Sequence, residues 1–352
     1  MALGVSKRTS GFTLALARSS RRAQRGAGLV AGLGLTISHP PAQAPVQVIP
    51  NRLDELIDTL RRVRATFPAV LLLHAACGSY YGFMLLEFTK MNGAGNDFVF
   101  LDNRAGQIRL TTAQIVRLCD RHRGIGADGL MLLVPSRTGK ADWAWDFYNS
   151  DGSTGEMCGN GARCFARFVQ KTVGLDRDFT FETGAGVITA SFPGARVTVN
   201  LTKPRDLRLN ENVVLSGGPE KIHSLNTGVP HAVLYVPDAD RAMVMSLGPE
   251  IRRHAHFGPR GTNVNFVQVL GPNHIRVRTF ERGVEGETLA CGTGVSAAAM
   301  ISARVHQFTS PVKVQVQGGD RLEVGFIDRG ADFDDVRLTG PAEFVFEGRV
   351  EL

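Results

Sequence analysis

Beyond residue 84 the hydrophobic positions come in short blocks separated by polar, glycine-rich breaks, which is the pattern of many brief strands. Blocks at 85–88, 98–102, 129–134, 179–182, 187–192, 196–201, 232–236, 265–270, 274–280, 312–317, 321–326 and 343–350 predict strands. Helical spacing is rarer and picks out 112–121, 162–171, part of 239–254, and 294–305. Strands in succession, with one helix in each half, predict an α+β fold. Upstream, apolar residues at 53, 56, 57, 60 and 63 fall on one face of a short amphipathic helix. The apolar run 67–88 is interrupted by Pro68, His74 and Gly78-Ser79, which argues against a membrane span.

The two halves resemble each other. Cys158 stands in "EMCGNGARC" and Cys291 in "ACGTGVSA", each followed by Gly-x-Gly and a helix-favouring run. "RHRGIGADGLMLLV" begins at Arg121, 37 residues before Cys158, and "RHAHFGPRGTNVNFVQV" begins at Arg253, 38 residues before Cys291. Nearer the cysteines, "DFYNSDGSTGEM" at 146–157 faces "RTFERGVEGETLA" at 278–290, each a strand and then a polar loop with an acid. This recurrence predicts two pseudo-symmetric domains, each a β-sheet or barrel wrapped around a central helix.

Charge changes the picture only at the front of the chain. The formal net charge of +7 over 352 residues belongs to residues 1–83, which hold ten Lys/Arg against three acids and leave thirty of each sign in the remainder. The body therefore gives no electrostatic ground for binding nucleic acid. Residues 1–50 contain no acid, are rich in Arg, Ser, Ala and Gly, and run into the breaker cluster Pro40-Pro41-Ala42-Gln43-Ala44-Pro45. Such composition fits an organelle transit peptide, a disordered tail or translated sequence upstream of the true start. Folding is expected to begin at about Met84. The five cysteines, at 77, 119, 158, 164 and 291, are odd in number and include no CxxC pair. They suggest a reducing compartment rather than a disulfide framework or zinc site.

A cysteine at a helix N-terminus lies among unpaired N–H groups and the positive end of the helix dipole. Both favour thiolate, and such sites bring the thiol from about 8.5 into a range of about 3.5–7.5. Glycines let the backbone approach a ligand, and the free N–H groups form a cradle for a carboxylate. Two such turns closing on one cleft would hold one carboxylate between two helix ends, with a sulfur on each face of the adjacent carbon. That is the arrangement for moving a proton across a stereocentre: a thiolate removes the α-hydrogen and a thiol delivers another to the opposite face. No PLP-lysine, dinucleotide or metal motif is evident; Gly124-Ile125-Gly126 lacks the third glycine and preceding strand of a nucleotide turn.

From about Met84 onward the chain resembles the diaminopimelate epimerase family. The matching stretches are "KMNGAGNDFVFLDNR" at 90–104, "RHRGIGADGL" at 121–130, "FYNSDGSTGEMCGNGARC" at 147–164, "TGVPHAVL" at 227–234, "GTNVNFVQV" at 261–269 and "FERGVEGETLACGTG" at 280–294. The resemblance implies a cofactor-independent, metal-free epimerase that interconverts LL- and meso-diaminopimelate in lysine and peptidoglycan precursor biosynthesis. It makes Cys158 and Cys291 the acid/base thiols, with Gly159-Asn160 and Gly292-Thr293 cradling the reacting carboxylate. Asn96, Asn149, Asn263 and Arg282 would bind the substrate's amino and carboxylate groups, Arg282 facing the distal carboxylate. His231 and Glu281 would stand close to the reacting centre. A homodimer in the bacterial cytoplasm is expected, or a plastid enzyme if 1–83 is a transit peptide, with neither nucleic acid nor membrane as partner. The expected domains are 84–202 plus 337–352, and 203–336. Two positions depart from the family pattern: Val229 stands where members often carry Asn, and Gly129 where many carry Gln.

Proline or hydroxyproline racemases are the alternative, since they also use two cysteines; they more often carry His where Asn160 stands and have no distal carboxylate to bind. A non-catalytic amino-acid-binding protein on the same scaffold would be expected to lose at least one thiol. Cys119 and Cys164 read as buried thiols without chemistry.

Overall fold

The computed structural model describes residues 84–352, and the expectations for 1–83, including the helix over 53–64, lie outside the described residues. The first half runs β1 (Leu85–Gly93), β2 (Asn96–Asp102), α1 (Thr112–Cys119), β3 (Gly129–Pro135), β4 (Trp143–Asn149), α2 (Gly159–Val173), β5 (Phe179–Thr183), β6 (Gly186–Ser191) and β7 (Val197–Asn200). The second runs β8 (Arg205–Leu215), β9 (Gly218–Asn226), β10 (Pro230–Tyr235), α3 (Val244–Arg253), β11 (Asn263–Gly271), β12 (His274–Glu281), β13 (Gly286–Thr288), α4 (Gly292–His306), β14 (Val312–Val316), β15 (Arg321–Asp328) and β16 (Phe333–Gly340). A last strand, β17 (Glu343–Glu351), returns to pair antiparallel with β1.

The duplication read from the cysteine turns holds pairing by pairing. From β1 to β7 successive neighbours pair antiparallel, parallel, antiparallel, parallel, antiparallel and antiparallel. From β9 to β16, with the short β13 set aside, the same series recurs. The final strands of the two series, β7 and β16, pair antiparallel and join the two domains, with Leu338 opposite Val199. Each parallel pair needs a crossover. In both series the first crossover carries a short helix, α1 or α3, and the second carries a 15-residue helix, α2 or α4.

Those two long helices are the centres around which the sheets wrap. Helix α4 is enclosed because its sequence is apolar or small on every side: Ala297, Ala298, Ala299, Met300 and Ile301 are all fully buried. Helix α2 buries Phe165, Ala166, Phe168 and Val169 against β1, β2, β3 and β7. Both begin earlier than the expected 162 and 294, at Gly159 and Gly292, so each cysteine is itself the N-cap. Among the described residues no helix is long and apolar enough to cross a membrane.

Candidate active site

The sequence places glycine directly after each cysteine, and the fold uses it for close approach. Cys158, with φ −140° and ψ 118°, and Cys291, with φ −114° and ψ 106°, are still extended, and the helices open at the glycine that follows each. Both line one cleft of about 1010 Å³ between the domains. At its floor the helix ends meet: a Cβ on Gly159 would lie 3.8 Å from the Cα of Gly292. Two positive helix ends converge on one small region, which favours an anion there.

The sulfurs differ in their partners. Cys158 Sγ accepts from the backbone N–H of Gly161 at 3.5 Å. Cys291 Sγ stands 3.5 Å from the Thr293 hydroxyl. Helix-end placement alone predicts lowered thiol pKa values, and here the balance goes the other way. Burial pushes both thiols up and Glu281 adds to it; the backbone N–H of Gly161 at Cys158, and the Thr293 hydroxyl and Gly294 N–H at Cys291, oppose it without prevailing. Cys119 and Cys164 are also free and buried, and burial pushes them up to about 11 and about 12. Neither lines the cleft.

Asn96, Asn149, Asn263, Glu281, Arg282, Gly292 and Thr293 all line the same cleft with Gly159 and Asn160. Asn160 is fully buried, and its side chain is spent as a bracket between domains. It donates to Asn96 Oδ1 at 2.6 Å and to the Ala290 carbonyl at 3.1 Å, and accepts from Arg163 at 2.9 Å. Only its backbone is free to serve a cradle. Asn96 in turn donates to Asp128 at 3.0 Å. Asn149 donates to Ser153 at 3.0 Å. Asn263 accepts from the Arg282 backbone N–H at 2.8 Å and so fixes the start of the loop carrying that guanidinium.

Arg282 makes no ion pair among the described residues, while neighbouring Arg252 and Arg253 share one partner, Glu285. Burial, then Arg252 and Arg260, lowers its pKa, so an arriving carboxylate would relieve the site. Burial raises the Glu281 carboxyl, and Asp128 adds to it.

His231 is placed differently from the rest. It is fully buried and does not line the cleft, standing behind Thr293 with Nε2 at 3.0 Å from that hydroxyl. Val229 does line it. Gly129 is held by packing, since a Cβ there would meet the Tyr148 carbonyl at 2.7 Å.

Two residues that sequence reasoning passed over complete the site. Arg163 is fully buried and anchors the first turn of α2 through the carbonyls of Gly159 and Pro341, both at 3.2 Å. Asn265 is fully buried and holds His231. Its signal was present: Asn263 and Asn265 alternate in an apolar strand, which puts two amides on one face.

A family model described as diaminopimelate epimerase matches residues 88–206 and 223–345. A diaminopimelate epimerase of Chlorobaculum tepidum is 42% identical over 267 residues, covering 74% of this chain and 100% of the relative. One of Aquifex aeolicus is 43% identical over 277 residues, covering 75% and 98%. Among solved structures, a PhzF-family phenazine biosynthesis protein of Bacillus anthracis superposes with a TM-score of 0.59 at 16% identity, covering 76% of this chain and 99% of that one. A hydroxyproline epimerase of Agrobacterium vitis with bound trans-4-hydroxy-L-proline gives 0.57 at 17% identity, covering 76% and 93%. These two share the fold.

Proposed function

Because the chain belongs to the diaminopimelate epimerase family, we propose that it interconverts LL- and meso-diaminopimelate by a two-base mechanism on Cys158 and Cys291. The observation that carries this reading is that both cysteines cap helices whose first glycines touch on the floor of one cleft. The reacting carboxylate lies across the two helix ends, and the α-carbon stands between the sulfurs.

In one direction a thiolate takes the α-hydrogen and becomes a thiol. The C–H electron pair passes into the carboxylate, whose growing charge the helix-end N–H groups stabilise. The thiol on the other face gives its proton to the carbon and becomes the thiolate, so the two sulfurs have exchanged roles. Burial makes thiolate costly in this cleft, and the substrate's α-ammonium, arriving with the opposite charge, offsets that cost.

Arg282, without a carboxylate partner among the described residues, favours a substrate with a second, distal carboxylate over proline or hydroxyproline. The reading extends to a role in lysine and peptidoglycan precursor biosynthesis and to a cytoplasmic homodimer. The edge strand β17 supports the dimer, because it leaves Phe344, Val345 and Phe346 exposed in a row. The direct test follows turnover of LL- and meso-diaminopimelate, proline and hydroxyproline by the full chain. Inversion of diaminopimelate alone is expected, and inversion of proline without diaminopimelate would overturn the assignment.

A further inference from the structure

The amide of Asn265 on β11 is held from three directions. Its Nδ2 donates to the Ala232 carbonyl at 2.9 Å and lies 3.2 Å from His231 Nδ1, while its Oδ1 accepts from the Thr279 hydroxyl at 2.9 Å. A carbonyl only accepts, so the amide nitrogen must lie toward Ala232, and its second hydrogen then points at His231. Nδ1 of His231 is therefore an acceptor. The ring is neutral, since burial, with Arg282 adding, pushes its pKa down to about 3. Its single proton accordingly sits on Nε2, 3.0 Å from Thr293 Oγ1. A hydroxyl that accepts from an imidazole N–H keeps its own hydrogen to give away, and Cys291 Sγ lies 3.5 Å off. The Thr293 carbonyl is occupied separately, accepting from Thr227 at 3.0 Å.

We propose that Asn265 is a positioning residue for the chemistry at Cys291: by fixing His231 as the Nε2–H tautomer, it directs the Thr293 hydroxyl to the sulfur as a donor to the thiolate. Cys158 has no side-chain counterpart, its sulfur accepting from the Gly161 backbone N–H. The inference rests on the two-thiol reading and adds that one of its thiolates is tuned by a side-chain relay. Glu281 and Cys158 are the titratable groups facing Cys291, both opposing its ionisation, and Arg282 bears on the His231 side. The relay works against the first two.

The test is site-resolved alkylation by iodoacetamide across the pH range, with Cys158 as the internal reference in the same full-length chain. Thr293→Val removes the donor, and Asn265→Asp turns the ring to the Nδ1–H tautomer, whose bare Nε2 takes the hydroxyl proton for itself. Each should slow alkylation of Cys291 at fixed pH about tenfold, one pKa unit, with Cys158 within about twofold. Thr293→Ser, which keeps the hydroxyl, should alkylate as the parent does. Nitrogen NMR of the parent should find His231 protonated on Nε2, a readout that stands if Asn265→Asp fails to fold. A ring protonated on Nδ1, equal slowing at both cysteines, or a Thr293→Val chain with unaltered Cys291 would each overturn the proposal. Alkylation requires no turnover, so a parent that fails to invert diaminopimelate would sink the functional reading separately.

Discussion

Gly159 and Gly292 touch where the two central helices begin, and the fully buried Leu338 lies beneath both. A Cβ on Gly292 would stand 3.5 Å from the Cα of Gly159, and a Cβ on either glycine would come within 3.0 Å of Leu338 Cδ2. The strand that joins the domains thus sets the floor on which the two helix ends meet. Gly159→Ala and Gly292→Ala should each destabilise by about 1–3 kcal/mol through overpacking. Each should lower kcat/KM further than lost folded protein explains, because a methyl wedged between the two glycines pushes apart the helix ends proposed to hold the carboxylate. Adding Leu338→Val should restore the denaturation midpoint but not the turnover. Full recovery of both would show that the glycines serve packing alone.

The sequence disclosed the halves through their cysteine turns, and it disclosed the apolar strands. It did not disclose β8, β9, β13 or β16, nor the start of either long helix. Strand β8 is "RDLRLNENVVL", exposed along most of its length, so no apolar alternation marks it. Helices α2 and α4 open with Gly-Asn-Gly and Gly-Thr-Gly, poor helix formers that burial carries into the helix, helped in α2 by the Cys158 side chain accepting from Gly161. Gly159, Asn160, Gly292 and Thr293 were legible because they follow the cysteines directly, whereas Asn96, Asn149, Asn263 and Arg282 were reached only through the family motifs in which they stand. Arg163 was not legible, since what it does depends on Pro341, far off in sequence; for Asn265 the alternation with Asn263 was visible, but the Ala232 carbonyl that orients its amide was not. The sense of the thiol shifts was also hidden, because a helix end is visible in a sequence and the depth of its burial is not.

Acid should weaken the fold through Asp97. Burial works against its charge, yet the hydrogen bonds from Arg121 and Lys90 prevail and hold it at about 2. A folded pKa below the unfolded one means the stabilisation is complete above about pH 4 and is lost as pH falls toward 2, on the order of 2 kcal/mol in all. Asp97→Asn also strands the buried Lys90 ammonium, so near neutrality it should cost about 3–5 kcal/mol. Urea midpoints of parent and variant should converge as pH drops from 5 to 2.5. Parallel curves over that range would show that Asp97 titrates normally.

Oxidation offers a distance measurement. Sulfurs that address opposite faces of one carbon lie within disulfide reach once the cleft holds them there. Mild oxidants should therefore inactivate the enzyme reversibly through a Cys158–Cys291 bridge, with Cys119 and Cys164 left as thiols. Peptide mapping that finds Cys158 and Cys291 both free in inactivated protein would rule the bridge out.

Isotope uptake separates two bases from one. If each sulfur serves one face of the α-carbon, the proton delivered is never the proton removed. In D₂O the newly formed epimer should carry deuterium from the first turnovers, starting from either LL- or meso-diaminopimelate, while remaining substrate stays largely unlabelled. Cys158→Ala and Cys291→Ala should each abolish inversion, since each removes the only acid/base group on its face. Serine should do nearly as much harm, its hydroxyl being far less acidic than a thiol. Cys119→Ala and Cys164→Ala should keep turnover within a few-fold, because both thiols lie outside the cleft; Cys164→Ala should show its effect in stability, its sulfur being fully buried. Inversion at near-parental rate by either Cys158→Ala or Cys291→Ala would break the two-thiol mechanism, and product free of solvent deuterium would point to a single base carrying one proton across.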